Sequence, residues 1–469
     1  MRDGAAEYVL RHRDVELLRF TWSGLSRPHI VSRNRSAKRL LPIPFGSKAT
    51  DAALEDWLNS RTSPMGRHFM RDLMGVLGLN MRGLDFHRRA LGFSKGLSLN
   101  DVHWVVPADF TGSWADCNLY DNHFSEAMAE IAFTGHGALG PDEATTSPEM
   151  TTNGMLPKCW RREADGIYLY KGATGTRGEG LEPYSEYYAA QVAEALGFNQ
   201  VSYDLVRFKG RLCSKCRLFT SNRFGFLPAS RLPQREAIVG EPHFVESFLL
   251  DAITFNTDRH FGNFGFLVDN DVNEIAGAAP VFDNGYGLLP HFDIPADDAE
   301  RGFRGIKAYL SNQHSSLLES WLAFPYELDT ALLKRIENLK HFRFKRHKHY
   351  NLPEERLRVL EKLIRTRAGD ILKFGKNADG LLKIPIENDG INPKGGLSDD
   401  GIKGGGLSPI EERAVQAILR NSQITARELA NLLGVKQRQA ERIVAALKTK
   451  AGLRRRGSRK VGEWCFNFQ

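Results

Sequence analysis

Apolar side chains recur at the helical period between residues 243 and 255, where Phe244, Val245, Phe248, Leu249, Ala252 and Ile253 share one face. The predicted helix stops at Asn256, and the polar run Asn256-Thr257-Asp258-Arg259-His260-Phe261-Gly262-Asn263 follows as a loop. Residues 264–268 then read as a strand, Asp269-Asn270-Asp271 as a turn, and residues 279–282 as the returning strand that leads into Asp283-Asn284-Gly285. Upstream, residues 166–171 predict a strand ending in Lys171. Residues 184–196 predict a helix carrying Tyr187, Tyr188, Val192 and Leu196, closed by Gly197. Residues 201–208 and 211–219 read as a hairpin, and 328–342 and 354–374 as long amphipathic helices. Nearer the start, residues 8–10 and 15–20 suit a strand pair and 52–61 a short helix around Trp57. Trp104, Trp114, Tyr120 and Phe124 are assigned to a core there.

Length and composition narrow the class. At 469 residues the chain exceeds one ordinary core, so two to four domains are expected. With 42% hydrophobic and 26% charged residues it has ample material for folded cores. No apolar run reaches the ~20 residues a membrane helix needs. The opening Met1-Arg2-Asp3-Gly4 has no apolar segment behind it, so no secretory signal is expected. Five scattered cysteines (117, 159, 213, 216 and 465) point to reduced thiols and a cytoplasmic location. Cys213 and Cys216 are read as part of a buried strand, ahead of a zinc or redox pair. His68, His87, His103, His123 and His136 are too dispersed for a metal site. The net charge of +8 sits in the tail, since residues 403–469 carry +9 and the rest −1. A polyanion partner is therefore expected there.

The polar residues around 256–285 outline a phosphotransferase site. A loop aspartate can orient an attacking hydroxyl and take its proton, while an asparagine of the same loop and an aspartate beyond a hairpin hold Mg2+ on ATP phosphates. Asp258 fits the first role, and Asn263 and Asp283 fit the second. Mg2+ takes few protein carboxylates beside phosphate and water, so the sparse set suffices. Lys171 fits the lysine that pairs with phosphates, and Glu186 on the next helix is its first candidate partner, with Glu182 second. Each residue alone is better explained by a turn cap, by packing or by a solvated surface. The three together in this order carry the reading.

The string D-A-I-T-F-N-T-D-R-H-F-G-N-F-G-F-L followed by A-P-V-F-D resembles the signature of HipA-like serine/threonine kinases, over about residues 150–375. The resemblance implies a bacterial, atypical kinase fold, often the toxin of a toxin–antitoxin pair, with an antitoxin as partner. It implies a phosphate-covering loop at residues 151–158, where the family pattern S-x-x-G-x-x-x-K is met by Thr151, Gly154 and Lys158. Glycine there permits close backbone approach to phosphate. It also makes Thr151 the autophosphorylation candidate, with threonine standing where the family has serine. His260 takes the place of an ATP contact, and residues 217–219 that of the adenine hinge. Residues 97–104 resemble a segment found ahead of the kinase part in such proteins.

Residues 341–349 mix cations with aromatics and read as a solvated helix face, with nucleic-acid contact the alternative. Residues 387–407 are a flexible Gly/Asn/Asp-rich linker. The tail then predicts helices at 410–420, at 426–433 with Thr425 as N-cap, and at 436–448, followed by two strands within 453–466. Three helices and a basic hairpin make a winged helix-turn-helix, similar to modules in bacterial regulators. Lys436, Arg438 and Arg442 lie where a recognition helix meets DNA, and Arg454, Arg455, Arg456, Arg459 and Lys460 suit backbone phosphate in the wing. A protein-docking winged helix with a solvated basic face is the alternative.

The expected fold is α+β. It comprises an accessory domain (1–140), a two-lobed atypical kinase-like part with small lobe 141–222 and large lobe 223–386, the linker 387–407, and a winged helix at 408–469. The expected function is ATP- and Mg2+-dependent phosphorylation of a Ser/Thr hydroxyl on a protein, with DNA bound by the tail. Two rivals remain: a DNA-binding regulator whose kinase-like part only senses nucleotide, and a kinase of small molecules or lipids.

Overall fold

A computed structural model describes residues 6–23, 26–46, 48–64, 69–79, 86–139, 146–175, 178–232, 244–256, 258–292, 330–375, 414, 425–433, 435–450, 453–456 and 463–466. The chain divides into two compact units, Met1–Lys383 and Ile384–Gln469. Both mix helices with antiparallel sheets.

In the first unit, β1 (Ala6–His12), β2 (Val15–Trp22), β3 (His29–Arg33) and β4 (His103–Pro107) form a sheet ordered β3-β2-β1-β4. The strand pair expected near residues 8–20 is β1 and β2. Period-2 alternation puts Leu10, Leu18 and Phe20 into one core with Trp57 of α1 (Asp51–Asn59). Thr50 starts that helix by accepting from Ala53 N at 3.1 Å. Next come α2 (Met70–Val76), α3 (Phe86–Ser94), α4 (Trp114–Cys117) and α5 (Glu126–Thr134). Ala129 and Phe133 of α5 are buried with Cys159 and Cys213 of the second sheet.

That second sheet holds β5 (Lys158–Glu163), β6 (Gly166–Lys171), β7 (Tyr203–Phe208) and β8 (Arg211–Arg217) in the order β5-β6-β8-β7. Its register sets Lys158 opposite Lys171. Cys213 and Cys216 both lie on β8, three positions apart and so on opposite faces of the pleat. Between β6 and β7 runs α6 (Glu182–Ala195). Gly197, at φ +67°, ends it with bonds from Gly197 N to Glu194 O and from Phe198 N to Ala193 O, the paired pattern that a left-handed glycine closes.

The third sheet, ordered β11-β10-β9, contains β9 (Phe224–Pro228), β10 (Gly265–Asp269) and β11 (Glu274–Ala278). Its return strand lies ahead of residues 279–282, which the alternation had assigned to it. Pro280 has no N–H to give a ladder, so the chain leaves the sheet there. Val281 pairs instead in parallel with Gln200, donating to Asn199 O at 2.8 Å and accepting from Val201 N at 2.9 Å.

The main core is made by α6, α7 (Val245–Thr254), α8 (Thr330–Asn338) and α9 (Glu354–Gly375), with Tyr188, Val192, Leu249, Ile253, Ile336 and Leu360 buried. Each such side chain contributes about 1.5–3 kcal/mol of transfer free energy, as an upper estimate. The basic stretch 341–349, expected on a helix, is irregular after a 3-10 turn at Leu339–His341. Phe342 and Phe344 both enter the core, and a two-residue spacing on one side is an extended pattern. The cations between and after them are paired: Arg343 with Glu361 at 2.6 Å, Arg346 with Glu354 at 2.7 Å, and Lys345 with Glu194 at 3.4 Å.

In the second unit, α10 (Ala426–Leu433) and α11 (Gln437–Lys450) pack through Leu429, Ala430, Ala440, Ile443 and Leu447. Thr425 Oγ1 accepts from Glu428 N at 3.2 Å, and the Glu428 carboxylate accepts from Thr425 N at 2.8 Å, a reciprocal cap. Strands β12 (Leu453–Arg456) and β13 (Glu463–Phe466) form an antiparallel pair. The linker 387–407 lies outside the described residues, as does the helix expected at 410–420 apart from Ala414. Among the described residues no helix is long and apolar enough to cross a membrane.

Candidate functional site

Lys171, the last residue of β6, points into the junction between the second sheet, α6 and the turn after Phe282. Its Nζ donates to Glu186 Oε1 at 2.7 Å and to Asp283 Oδ1. Of the two candidate partners on α6, Glu186 is the one the geometry selects, because it faces β6 from the first turns of the helix. Glu186 Oε2 also accepts from Asn284 N at 2.8 Å, so one carboxylate fastens α6 to both lysine and turn. Gly285 leaves room for this closeness: a Cβ there would stand 3.3 Å from Glu186 Oε1 and 3.4 Å from Lys171 Nζ, a tight fit.

Charge sets the protonation of the group. Burial alone would lower Lys171, but Asp283 and Glu186 outweigh it and hold the ammonium well above its usual range. Burial alone would raise Asp283, but Lys171, Lys158 and Arg259 outweigh it and hold the carboxyl well below the usual carboxylate range. The Asp283 side chain keeps 31% of its surface open, and its Oδ2 carries no hydrogen bond among the described residues. One oxygen is thus held by Lys171 while the other is free to take a ligand. Asp283 sits at φ +57°, and the Phe255 cap of α7 at φ +56°; such left-handed non-glycine residues cost of order 1–3 kcal/mol each and gather at functional sites.

A residue to which the sequence reading gave no role organises the loop. Arg259 is buried against Asp251 of α7, with Nε at 2.9 Å from Oδ2 and a second nitrogen at 2.9 Å from Oδ1. The same guanidinium donates to Asn263 O at 3.0 Å, to Phe282 O, and to Asn284 Oδ1 at 2.7 Å. All three lie beside the candidate metal positions. Arginine offers five donors in a fixed fork, which lets one side chain tie α7, the loop and the turn together. The signal for it was an arginine inside a polar run next to a helix holding an aspartate eight residues earlier, a separation no helical pairing rule flags.

Around this hub, Asn263 is buried with Nδ2 donating to Asp258 O at 3.0 Å, which leaves Oδ1 without a hydrogen bond among the described residues. Asp258 is exposed, and Asp258 N donates to Asn256 Oδ1 at 3.3 Å. His260 is also exposed, and its Nδ1 accepts from Gly262 N at 3.0 Å. Thr257 lies outside the described residues. Phe282 packs against Phe219 in a tilted arrangement and edge-on to Phe226, with centroids 5.3 Å from each, so an aromatic cluster includes Phe219 of the expected hinge.

The turn at 151–158 differs from its expected display. Thr151 is buried, with Oγ1 donating to Leu97 O at 2.8 Å, so its hydroxyl faces the protein interior and is not presented as an acceptor of phosphate. Gly154 adopts φ +95°, where a Cβ would fall 2.1 Å from Lys158 Nζ. Lys158 is buried under the turn and donates to Asn153 O at 2.9 Å, and its charge reaches Asp283.

In the second unit, Lys436, Arg438 and Arg442 are exposed at the start and along the outer side of α11. Arg454, Arg455 and Arg456 fall on β12, while Arg459 and Lys460 lie outside the described residues.

No protein-family model matches this chain, and no curated protein matches it. Among solved structures it is similar to the Helicobacter pylori proinflammatory kinase CtkA, at 18% identity and TM-score 0.34, over 47% of this chain and 94% of that one. It is also similar to HipA from the Shewanella oneidensis MR-1 toxin–antitoxin complex with HipB and operator DNA, at 14% identity and TM-score 0.45, over 80% of this chain and 100% of that one.

Proposed function

We propose that the first unit is an ATP- and Mg2+-dependent phosphotransferase. The observation that carries this reading is the triad Lys171–Glu186–Asp283, locked by Arg259 to the loop bearing Asp258 and Asn263. The residues suit a hard cation: Asp283 Oδ2 and Asn263 Oδ1 are oxygen donors without a hydrogen bond among the described residues, on two segments that Arg259 ties together through Asn263 O and Phe282 O. No group of three or more His, Cys, Asp or Glu side chains able to cage a metal occurs among the described residues, and Mg2+ on nucleotide phosphates needs none. When bound, Mg2+ would neutralise charge on the phosphate oxygens.

The chain's own groups then divide the work. Lys171, kept charged, holds phosphate oxygens without losing a proton. Asp258, exposed on the loop, orients an acceptor hydroxyl and takes its proton as the oxygen bonds to the γ-phosphorus and the bond to the bridging oxygen of ADP breaks. His260, exposed beside it, contacts the nucleotide, and the Gly154 turn covers the phosphates with Lys158 beneath it. The acceptor we propose is a Ser or Thr hydroxyl on a protein.

For the second unit we propose DNA binding as a winged helix, with Lys436, Arg438 and Arg442 toward the groove and the β12 arginines on backbone phosphate. The support is the basic charge of the tail and the exposure of those three side chains. An antitoxin partner and a cytoplasmic setting belong to the same proposal and rest on the sequence resemblance.

Incubation of the purified chain with γ-labelled ATP and Mg2+, with and without a bacterial lysate as acceptor, tests the reading. Label on protein that is absent with Asp258→Ala supports it. ATP binding with no label on any acceptor would replace it with a nucleotide sensor, and label moving to small molecules or lipid would replace the acceptor class.

A further inference from the structure

A cavity of ≈ 90 Å³ opens in the first unit between the α1 end and the β9–β10 pair, walled in part by Trp57, Arg61, Asp101, Asn153, Phe226 and Arg231. One water needs about 10–15 Å³ on this scale, so the space suits a small polyatomic ion or several waters. Arg61 lies over the Trp57 ring, 4.1 Å from its centroid, and gives both terminal nitrogens to Asp101, with one at 3.1 Å. That pair is neutral. His103, also on the wall, is held down at about 4 by burial and adds no charge near neutral pH.

Arg231, at the end of the 3-10 turn Ala229–Arg231, supplies a second guanidinium to this wall. Among the described residues it has neither a hydrogen bond nor an ion pair; the exposed Asp56 on α1 acts on it only through the field. The Asn153 side chain at the mouth is likewise without a hydrogen bond among the described residues. A concave polar space that offers an exposed guanidinium and an exposed amide, neither with a side-chain hydrogen bond among the described residues, is complementary to a planar or tetrahedral oxyanion.

We propose that this cavity binds a small phosphate-bearing anion, gripped by Arg231 with Asn153 and the Arg61 wall. The site is separate from Lys171 but shares two parts with its surroundings. Asn153 O accepts from Lys158 Nζ, and the Phe226 ring packs on Phe282 beside Asp283. An anion held at Asn153 would fix the Gly154 turn, a consequence that rests on the phosphotransferase reading; the binding itself does not.

Isothermal titration of the full chain with sodium phosphate, and separately with glycerol 3-phosphate, against sodium chloride of equal ionic strength, tests the proposal without any activity. Saturable binding should weaken at least tenfold in Arg231→Met and recover in part in Arg231→Lys. The melting temperature of both variants should be unchanged, because the guanidinium is exposed and has no hydrogen bond or ion pair among the described residues. Binding of inorganic phosphate alone identifies the free ion as ligand, and equal binding of glycerol 3-phosphate identifies a phosphorylated metabolite whose body lies outside the mouth. No saturable heat up to millimolar concentrations, or wild-type affinity in Arg231→Met, would overturn it.

Discussion

Two charge-rich regions of the first unit have opposite fates. Around Lys171 and Arg259, five charged side chains converge in the interior, and one carboxylate oxygen is left open. Along residues 341–349 the cations are as dense, yet those on Arg343, Lys345 and Arg346 end on glutamates. The first region lost its water and needs its geometry; the second keeps much of its hydration and serves to fasten α6 to α9. Charge density does not mark chemistry, whereas buried charge with an unfilled valence does.

Substitutions should separate the regions by size and kind of effect. Asp258→Ala should remove label transfer by about 10²–10⁴-fold, the usual span for a general base, with an unchanged melting temperature because the side chain is exposed. Arg259→Met should destabilise the first unit by about 3–5 kcal/mol in denaturant titration, since it strands Asp251 as a buried charge. Gly285→Ala should cost about 1–3 kcal/mol by crowding the Glu186–Lys171 contact, and should also weaken ATP binding.

The pH dependence sharpens the contrast. Asp283 is depressed, so its stabilisation is complete above the unfolded value of about 4 and is lost as pH falls through its lower folded value. Lys171 is raised, so its share is complete below about 10.4 and is lost as pH rises through its higher folded value. The stability difference between wild type and Asp283→Asn should therefore be flat from about pH 5 to 9. A slope in that window would mean that the pair is not closed. The smallest effect belongs to Lys345→Ala, whose exposed pair with Glu194 should be worth less than about 0.5 kcal/mol in thermal unfolding.

Much of the arrangement was legible in order and period. The helix ahead of Asn256 and the one bearing Glu186 follow from apolar spacing and from Gly197, and the Cys213–Cys216 stretch reads correctly as a strand. What escaped depended on partners far along the chain. Arg259 was given no role because Asp251, Phe282 and Asn284 meet it only in three dimensions. Thr151 looked like a displayed hydroxyl because its acceptor, Leu97 O, belongs to a segment over fifty residues away. The return strand was misplaced because alternation at 279–282 outweighed the missing N–H of Pro280. The helical reading of 341–349 failed because the core takes Phe342 and Phe344 from the same side.

The central claim is that one buried centre holds nucleotide while an exposed loop residue performs transfer. Binding of Mg–ATP and transfer of its γ-label, measured in parallel on wild type, Asp258→Ala and Lys171→Met, test that division. The account predicts that Asp258→Ala binds like wild type and transfers label at least about 100-fold more slowly, while Lys171→Met loses binding at least tenfold. Transfer near the wild-type rate in Asp258→Ala, or full binding by Lys171→Met, would contradict it.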